Sequence, residues 1–219
     1  MSRRNSLVAA FISCLSLGGC ALSTDPPSER TSVTTQALTT PWTGTWGVTP
    51  QSGGQSFAQQ TIRQIVFTSI GGSSARIRLS NLFGSQSVSI TDVHIALAGT
   101  GSSIQPGTDH VVLFGGSGSV TLGAGAEVNS DAVSMSIPSR SAVAISFYLP
   151  SSTAVQTYHQ FSFQTNYVAN GDVSGNTNLS VASTPSSYFF LTNLDVQDAA
   201  ATGAVVTLGA SITDGYGSS

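Results

Sequence analysis

The chain has 219 residues, of which only 8% are charged, against about 25% in an average soluble protein. Its net charge is −3, and the 7 basic residues are all arginines that form no basic cluster. This excludes nucleic acid as a partner, because phosphate binding requires a concentrated positive surface. An apolar content of 40% suffices for a globular core.

The start of the chain has the pattern of a bacterial export signal. Two arginines precede an apolar stretch, Leu7 to Leu17, which is too short to span a bilayer. The Leu-Gly-Gly-Cys20 that ends it resembles the lipobox of bacterial lipoproteins, which are cut before a lipid-bearing cysteine. The resemblance implies that residues 1–20 are a lipoprotein signal peptide. The alternative is an ordinary secretory signal cut nearby.

A lipid on Cys20 implies a membrane anchor, and Ala21 after it implies sorting to the outer membrane. Cys14 would leave with the signal, so the mature chain is expected to have no disulfide and no thiol ligand. Residues 21–40 are polar and contain two adjacent prolines, which predicts a flexible tether. We expect a cell-envelope lipoprotein or a secreted protein.

Residues 41–197 predict an all-β domain, an antiparallel β-sandwich for which a jelly roll fits best. Short segments with alternating apolar residues are separated by Gly, Ser, Asn and Pro turns, and no window shows a helical period. The predicted strands are 62–68, 75–79, 111–114, 120–122, 133–137, 143–149, 159–167 and 188–191.

One predicted strand changes phase. In VSITDVHIAL, Val88 and Ile90 lie on one face, whereas Val93 and Ile95 fall on the other. Because side chains alternate with a period of two, one extra residue is required, and we predict a bulge or a switch between sheets near Thr91–Asp92.

The segment 204–208 is continuously apolar, which favours a strand buried on both faces, as in a parallel α/β sheet. It leads directly into GASITDG, residues 209–215. The nucleophile elbow G-x-S-x-G would need glycine in place of Thr213, and a phosphate loop would need a lysine. Residues 203–219 therefore predict the start of a second domain with a serine-bearing turn.

GASITDG resembles the first sequence block of the SGNH or GDSL hydrolases, G-D-S-I-T-x-G. Ser211 aligns with the catalytic serine of that block, and Ala210 replaces the aspartate, which is neither the nucleophile nor the triad acid. Upstream, TWGVTPQ (45–51), QTIRQIVFTSIGG (60–72), RIRLSNLFG (76–84) and SDAVSM (130–135) resemble the sandwich that precedes the catalytic domain in bacterial secreted members. The resemblance runs from about Trp46 onward.

The resemblance implies a serine ester hydrolase (a lipase or acylhydrolase) acting on acyl or acetyl esters, with an acylated carbohydrate or lipid as the substrate and Ser211 as the nucleophile. It also implies that the backbone N–H of Ser211 contributes to the oxyanion hole. Gly209, Asp214 and Gly215 would shape the nucleophile turn. No cofactor and no metal are expected.

The family's Asp-x-x-His block has no counterpart in this sequence. None of His94, His110 and His159 has an aspartate three residues earlier, and a structural role is expected for each. Only eight residues follow Ser211 in the sequence, and the Asp-x-x-His block is missing. The sequence therefore predicts the first part of a truncated hydrolase, which is inactive by itself because the nucleophile lacks its base. The sandwich is then expected to expose apolar surface toward the remainder.

The alternative is a surface-anchored sandwich that binds carbohydrate without catalysis. Its sugar-stacking candidates are Trp42, Trp46, Tyr158, Tyr167 and Tyr188, although packing in the core or at its rim is the simpler interpretation of each. A third possibility is a purely structural envelope lipoprotein.

Overall fold

The computed structural model describes residues 41–198, 200, 204–210 and 213. The predicted signal peptide with Cys20 and the tether lie outside these residues. The described residues form β-strands and turns without a helix, which confirms the all-β prediction for the sandwich region. In this part of the chain there is accordingly no helix long and apolar enough to cross a membrane.

Most strands are short, as the turn-rich sequence predicts. They are β1 (Trp42–Gly47), β2 (Gln51–Ser52), β3 (Ser56–Phe57), β4 (Gln60–Phe67), β5 (Gly72–Ser80), β6 (Val88–Leu97), β7 (His110–Val111), β8 (Ser119–Leu122), β9 (Glu127–Asn129), β10 (Val133–Ile137), β11 (Ala142–Leu149), β12 (Thr153–Ala154), β13 (Thr157–His159), β14 (Tyr167–Asn170), β15 (Val181–Ser183), β16 (Tyr188–Phe189) and β17 (Leu191–Gln197).

Two large antiparallel sheets and two small ones organise these strands. The first has the order β1-β17-β5-β10, with β9 also paired to β5. The second has the order β15-β14-β4-β11-β6-β7, with β8 also paired to β6. The small sheets are β12-β3 and β16-β13-β2. The jelly-roll connectivity stays a prediction.

Both large sheets contribute side chains to one apolar core, the arrangement of a β-sandwich. In β11, Val143, Ile145, Phe147 and Leu149 are all fully buried, on the face that alternation assigned to them. In β5, Ile77 and Leu79 point into the core, while the arginines between and before them are partly exposed. Period-two alternation therefore identified the inward face of both strands.

The predicted bulge in β6 is confirmed. Ser146 of β11 lies opposite His94, but Tyr148 lies opposite Thr91, so β6 carries one extra residue between these pairs. Asp92 takes the left-handed conformation, with φ of 47°. Aspartate is one of the few non-glycine residues that adopt this conformation readily, which explains why the extra residue is accommodated here.

The strand predicted over 159–167 is wrong. Strand β13 ends at His159, β14 begins at Tyr167, and Phe161 and Phe163 between them have φ of 58° and 51°. A left-handed residue reverses the direction of an extended chain, and residue alternation carries no information about φ. The prediction over 188–191 is split for the same reason, because Phe190 has φ of 58°. The strand predicted over 111–114 is shorter and begins one residue earlier, since β7 comprises only His110–Val111.

The strand predicted over 204–208 is not formed. Val205, Val206 and Leu208 are 94%, 87% and 91% exposed, and residues 204–210 pair with no strand in the described part of the chain. A strand that is buried on both faces needs neighbouring strands and covering layers, and the described residues supply neither at this place. The α/β domain stays a prediction.

Candidate functional site

The candidate site is a cleft of about 670 Å³ between the sandwich and the segment that follows it. Its sandwich wall consists of the loop 47–51 after β1 and the loop 159–163 after β13. Its other wall consists of residues 207–210 and Thr213. This volume lies in the range of about 300–1,000 Å³ that is typical of small-molecule sites.

The described neighbours of Ser211 line this cleft. Gly209 and Ala210 precede the serine, Thr213 follows it, and all three contribute to the wall. A methyl group on Gly209 would meet Thr213 Oγ1 and would lie 2.8 Å from its Cβ, so the close approach of Thr213 favours glycine at this position. Three of the predicted site residues, Ser211, Asp214 and Gly215, lie outside the described residues.

His159 lines the same cleft. Its Nδ1 lies 2.8 Å from the carbonyl oxygen of Thr49, and because a carbonyl only accepts, Nδ1 donates. Of the three histidines, this one shares a cavity with the serine-bearing turn.

His94 has a structural environment. Its Nδ1 lies 2.8 Å from Asp109 Oδ2 and its Nε2 lies 3.2 Å from Asp92 Oδ1. Both ring nitrogens therefore lie within hydrogen-bond distance of a carboxylate oxygen, an arrangement that fits a structural role. His110 lies in β7 opposite Ile95, away from the cleft.

Arg63 of β4 is fully buried on the outer side of the second sheet, facing away from the core. Its Nε donates to Ser146 Oγ at 2.8 Å, and its Nη1 donates to the carbonyl of Ser102 at 2.6 Å. Its Nη2 donates to the carbonyls of Ser174 and Asn176 at 2.9 and 2.7 Å. Burial lowers the pKa of Arg63 to about 10, while the negative charge of Asp109 opposes that shift.

Arg63 thus fastens two loops to the sheet. One follows β6 and contains Ser102, and the other joins β14 to β15 and contains Ser174 and Asn176. Gly175 of the second loop lies against the His94 ring, where a Cβ would approach Cε1 to 3.0 Å. No group of three or more His, Cys, Asp or Glu side chains in the described ranges is arranged to hold a metal ion.

Asp172 lies at the exposed margin of this network. Burial raises the pKa of Asp172, and so do its hydrogen bond to the Asp92 side chain and the negative charge of that residue. A carboxyl with a raised pKa holds its proton more tightly in the folded state than in the unfolded state. Its contribution to stability is therefore complete below the ordinary aspartate pKa and is lost as the pH rises through the raised value.

Replacing Asp172 with asparagine is expected to remove this pH dependence. The amide keeps an acceptor for Ser174 and donates to Asp92 without adding negative charge. At pH 7 we expect a gain of about 0.5 kcal/mol, the size of a surface charge interaction, and at pH 3 no gain. The measurement is urea denaturation at several pH values. Glu127→Gln, at an exposed position, is the control, and an equal gain from it would contradict this origin.

The aromatic residues proposed as sugar platforms have their rings packed. The guanidinium of Arg76 covers the Trp42 ring at 4.6 Å, Trp46 meets Tyr188 edge-on at 4.8 Å, and Tyr158 stacks on Phe189 at 6.4 Å. Tyr167 packs on the small apolar cluster around Ile65. The simpler interpretation, packing in the core or at its rim, fits all five.

Sequence reasoning missed three residues of interest. Phe161 and Phe163 were assigned to a strand, yet they are exposed at 59% and 50% on the cleft wall. The sequence also contained a usable signal for Arg63, because a charged residue inside the otherwise strand-like segment IRQIV is unusual.

Comparison with known proteins adds no assignment. No protein-family model matches the chain, and a search of curated proteins returned no significant match.

Proposed function

We propose that this chain belongs to a serine ester hydrolase of the SGNH or GDSL type that acts on acyl or acetyl esters outside the cytoplasm. The sequence block around Ser211 is the first support. The observation that carries the proposal further is the cleft, in which residues adjacent to Ser211 face His159, Phe161 and Phe163 of the sandwich. The lining combines the two apolar rings with polar side chains such as Gln51 and Gln160, and a concave site of this mixed kind can hold a small ester.

The reaction assigned to Ser211 is acyl transfer. Its Oγ attacks the ester carbonyl while a general base takes the hydroxyl proton, and the backbone N–H of Ser211 donates to the developing oxyanion. The alcohol leaves with that proton, and water then hydrolyses the acyl-serine by the same steps. In this proposal Gly209, Asp214 and Gly215 shape the turn, and no cofactor takes part.

The proposal places the protein in the cell envelope. A diacylglycerol on Cys20 would hold it at a membrane, with residues 21–40 as the tether. The low charge and the absence of lysine leave solubility to Ser, Thr, Asn, Gln and Gly.

The test is covalent labelling by a fluorophosphonate, a reagent that modifies activated serines. The purified 219-residue chain is incubated with the reagent while imidazole is supplied as the base, and the labelled peptide is found by mass spectrometry. Labelling is expected at Ser211, rising with imidazole concentration, because a serine hydroxyl becomes nucleophilic when a base removes its proton.

Ser211→Ala is expected to abolish the labelling, and Ser218→Ala serves as the matched control, which should leave it unchanged. Labelling spread evenly over many serines would mean that Ser211 has no special reactivity. That result, or labelling that survives Ser211→Ala, would refute the assignment of the nucleophile.

A further inference from the structure

Two phenylalanines occupy the cleft wall at an energetic cost. Phe161 and Phe163 both take the left-handed conformation, with φ of 58° and 51°, which costs about 1–2 kcal/mol for each non-glycine residue. Their rings remain 59% and 50% exposed, so burial of the rings recovers only part of that cost. Strained backbone of this kind is concentrated at ligand sites.

The loop that carries them is nevertheless held in place. The N–H of Ser162, between the two phenylalanines, donates to the carbonyl of Ser186 at 2.7 Å, and its Oγ donates to the carbonyl of Gln164 at 3.0 Å. The side chain of Asn166 bridges the N–H of Ile65 and the carbonyl of Ser187. Both rings are therefore presented by an ordered loop, which reduces the entropy lost on binding.

The polar part of the cleft is equally well positioned. His159 is oriented by its bond to Thr49, and Gln160 Oε1 accepts from Gln51 Nε2 at 3.3 Å and from the Tyr158 hydroxyl at 3.2 Å. The cleft thus combines a polar strip with the apolar rings of Phe161 and Phe163, and it is open to solvent at Leu208, which is 91% exposed. This arrangement suits an amphipathic ligand with a polar end and an aliphatic body.

We infer that the cleft is an acyl-binding site, in which Phe161 and Phe163 receive the aliphatic chain of a medium-length acyl ester. The inference rests on the proposed function and extends it: the sandwich selects acyl chains that are longer than acetyl. The rings provide apolar area that an acetyl methyl group contacts only slightly, whereas each further buried CH₂ is worth about 0.8 kcal/mol, roughly a fourfold gain in affinity.

The test is a titration of the isotopically labelled 219-residue chain with sodium hexanoate, followed by NMR, with sodium acetate in a parallel series. Hexanoate is expected to cause saturable shifts at Val48, at the loop 159–163 and at residues 207–210. Acetate is expected to bind at least about tenfold more weakly.

The double variant Phe161→Ala/Phe163→Ala is expected to weaken hexanoate binding at least about tenfold. Since both rings are largely exposed, the variant should fold, and circular dichroism checks that it does. The matched control is Phe67→Ala, because Phe67 is equally exposed, at 60%, and does not line the cleft. Its affinity should equal that of the unaltered chain.

Two results would overturn the inference: equal affinities for hexanoate and acetate, or an equal loss of hexanoate binding from Phe67→Ala. The outcome is separable from the labelling of Ser211. If Ser211 is labelled but hexanoate does not bind preferentially, the proposed acyl-binding site is refuted and the proposed hydrolase function is not. If hexanoate binding requires Phe161 and Phe163 but Ser211 is not labelled, the assignment of Ser211 as the nucleophile is refuted and the acyl-binding site is not.

Discussion

Replacing Arg63 with methionine is expected to destabilise the protein by about 2–4 kcal/mol, because several hydrogen-bond acceptors lose a charged donor, at about 1–3 kcal/mol for each buried one. Methionine fills much of the volume but donates nothing. The buried carbonyl of Ser174 and the partly buried carbonyls of Ser102 and Asn176 then lose their donors, and the cost is largest for the buried one. Asp109 also loses the charge that faces it. Urea denaturation measures the change in the free energy of unfolding.

The control for this prediction is Arg78→Met. Arg78 lies on β5, and its Nε donates to Asn129 Oδ1 at an exposed position. Its replacement is expected to cost less than about 1 kcal/mol, as for other surface contacts. Arg63→Lys should fall between the two, because it keeps the charge but not the fork of donors. Equal losses from Arg63→Met and Arg78→Met would contradict the anchoring role of Arg63.

A second readout locates the effect of Arg63. Because Arg63 fastens the loop between β14 and β15, Arg63→Met should speed amide hydrogen exchange in residues 171–179 more than in the core strands. Uniform acceleration over the whole sandwich would instead mean that the substitution acts only through global stability.

Replacing Phe147 with alanine is expected to cost about 3–5 kcal/mol, since it leaves a cavity in the core. Phe147 is fully buried, its backbone pairs with Ile62 of β4, and its ring meets Phe190 at 6.4 Å. Both large sheets contribute to this core, so the cavity cannot close without moving one sheet against the other. The measurement is again urea denaturation, combined with the thermal midpoint.

Phe67→Ala is the matched control for Phe147. Phe67 ends β4 and is 60% exposed, so its replacement is expected to change stability by no more than about 0.5 kcal/mol. Similar losses at the two positions would mean that the shared core of the two sheets is not the main source of stability.

The two stability predictions concern opposite sides of the same sheet. Ile62 and Phe147 face the shared core, whereas Arg63 faces the outer loops, so β4 is buried on both sides. The strand reads QTIRQIVF, and its inner residues follow simple alternation. On its outer face Arg63 fastens loops, whereas Ile65 packs in a small separate cluster.

The sequence alone was enough to predict the strands whose inward side chains alternate, such as β5, β10 and β11. It was also enough to predict the bulge in β6. These features follow from local rules, since a strand places every second residue on the same face and an extra residue must disturb that period. The motif around Ser211 is likewise a property of the sequence and stays the basis of the proposed chemistry.

Only the tertiary structure decided the rest. Phe161 and Phe163 alternate like strand residues, but their left-handed backbone is imposed by bonds to distant segments such as Ser186. The loops that contact Arg63 are far away in the chain, and local pattern contains no information about which loops meet. The cleft arises in the same way, because it forms where the loops after β1 and β13 approach residues 207–210.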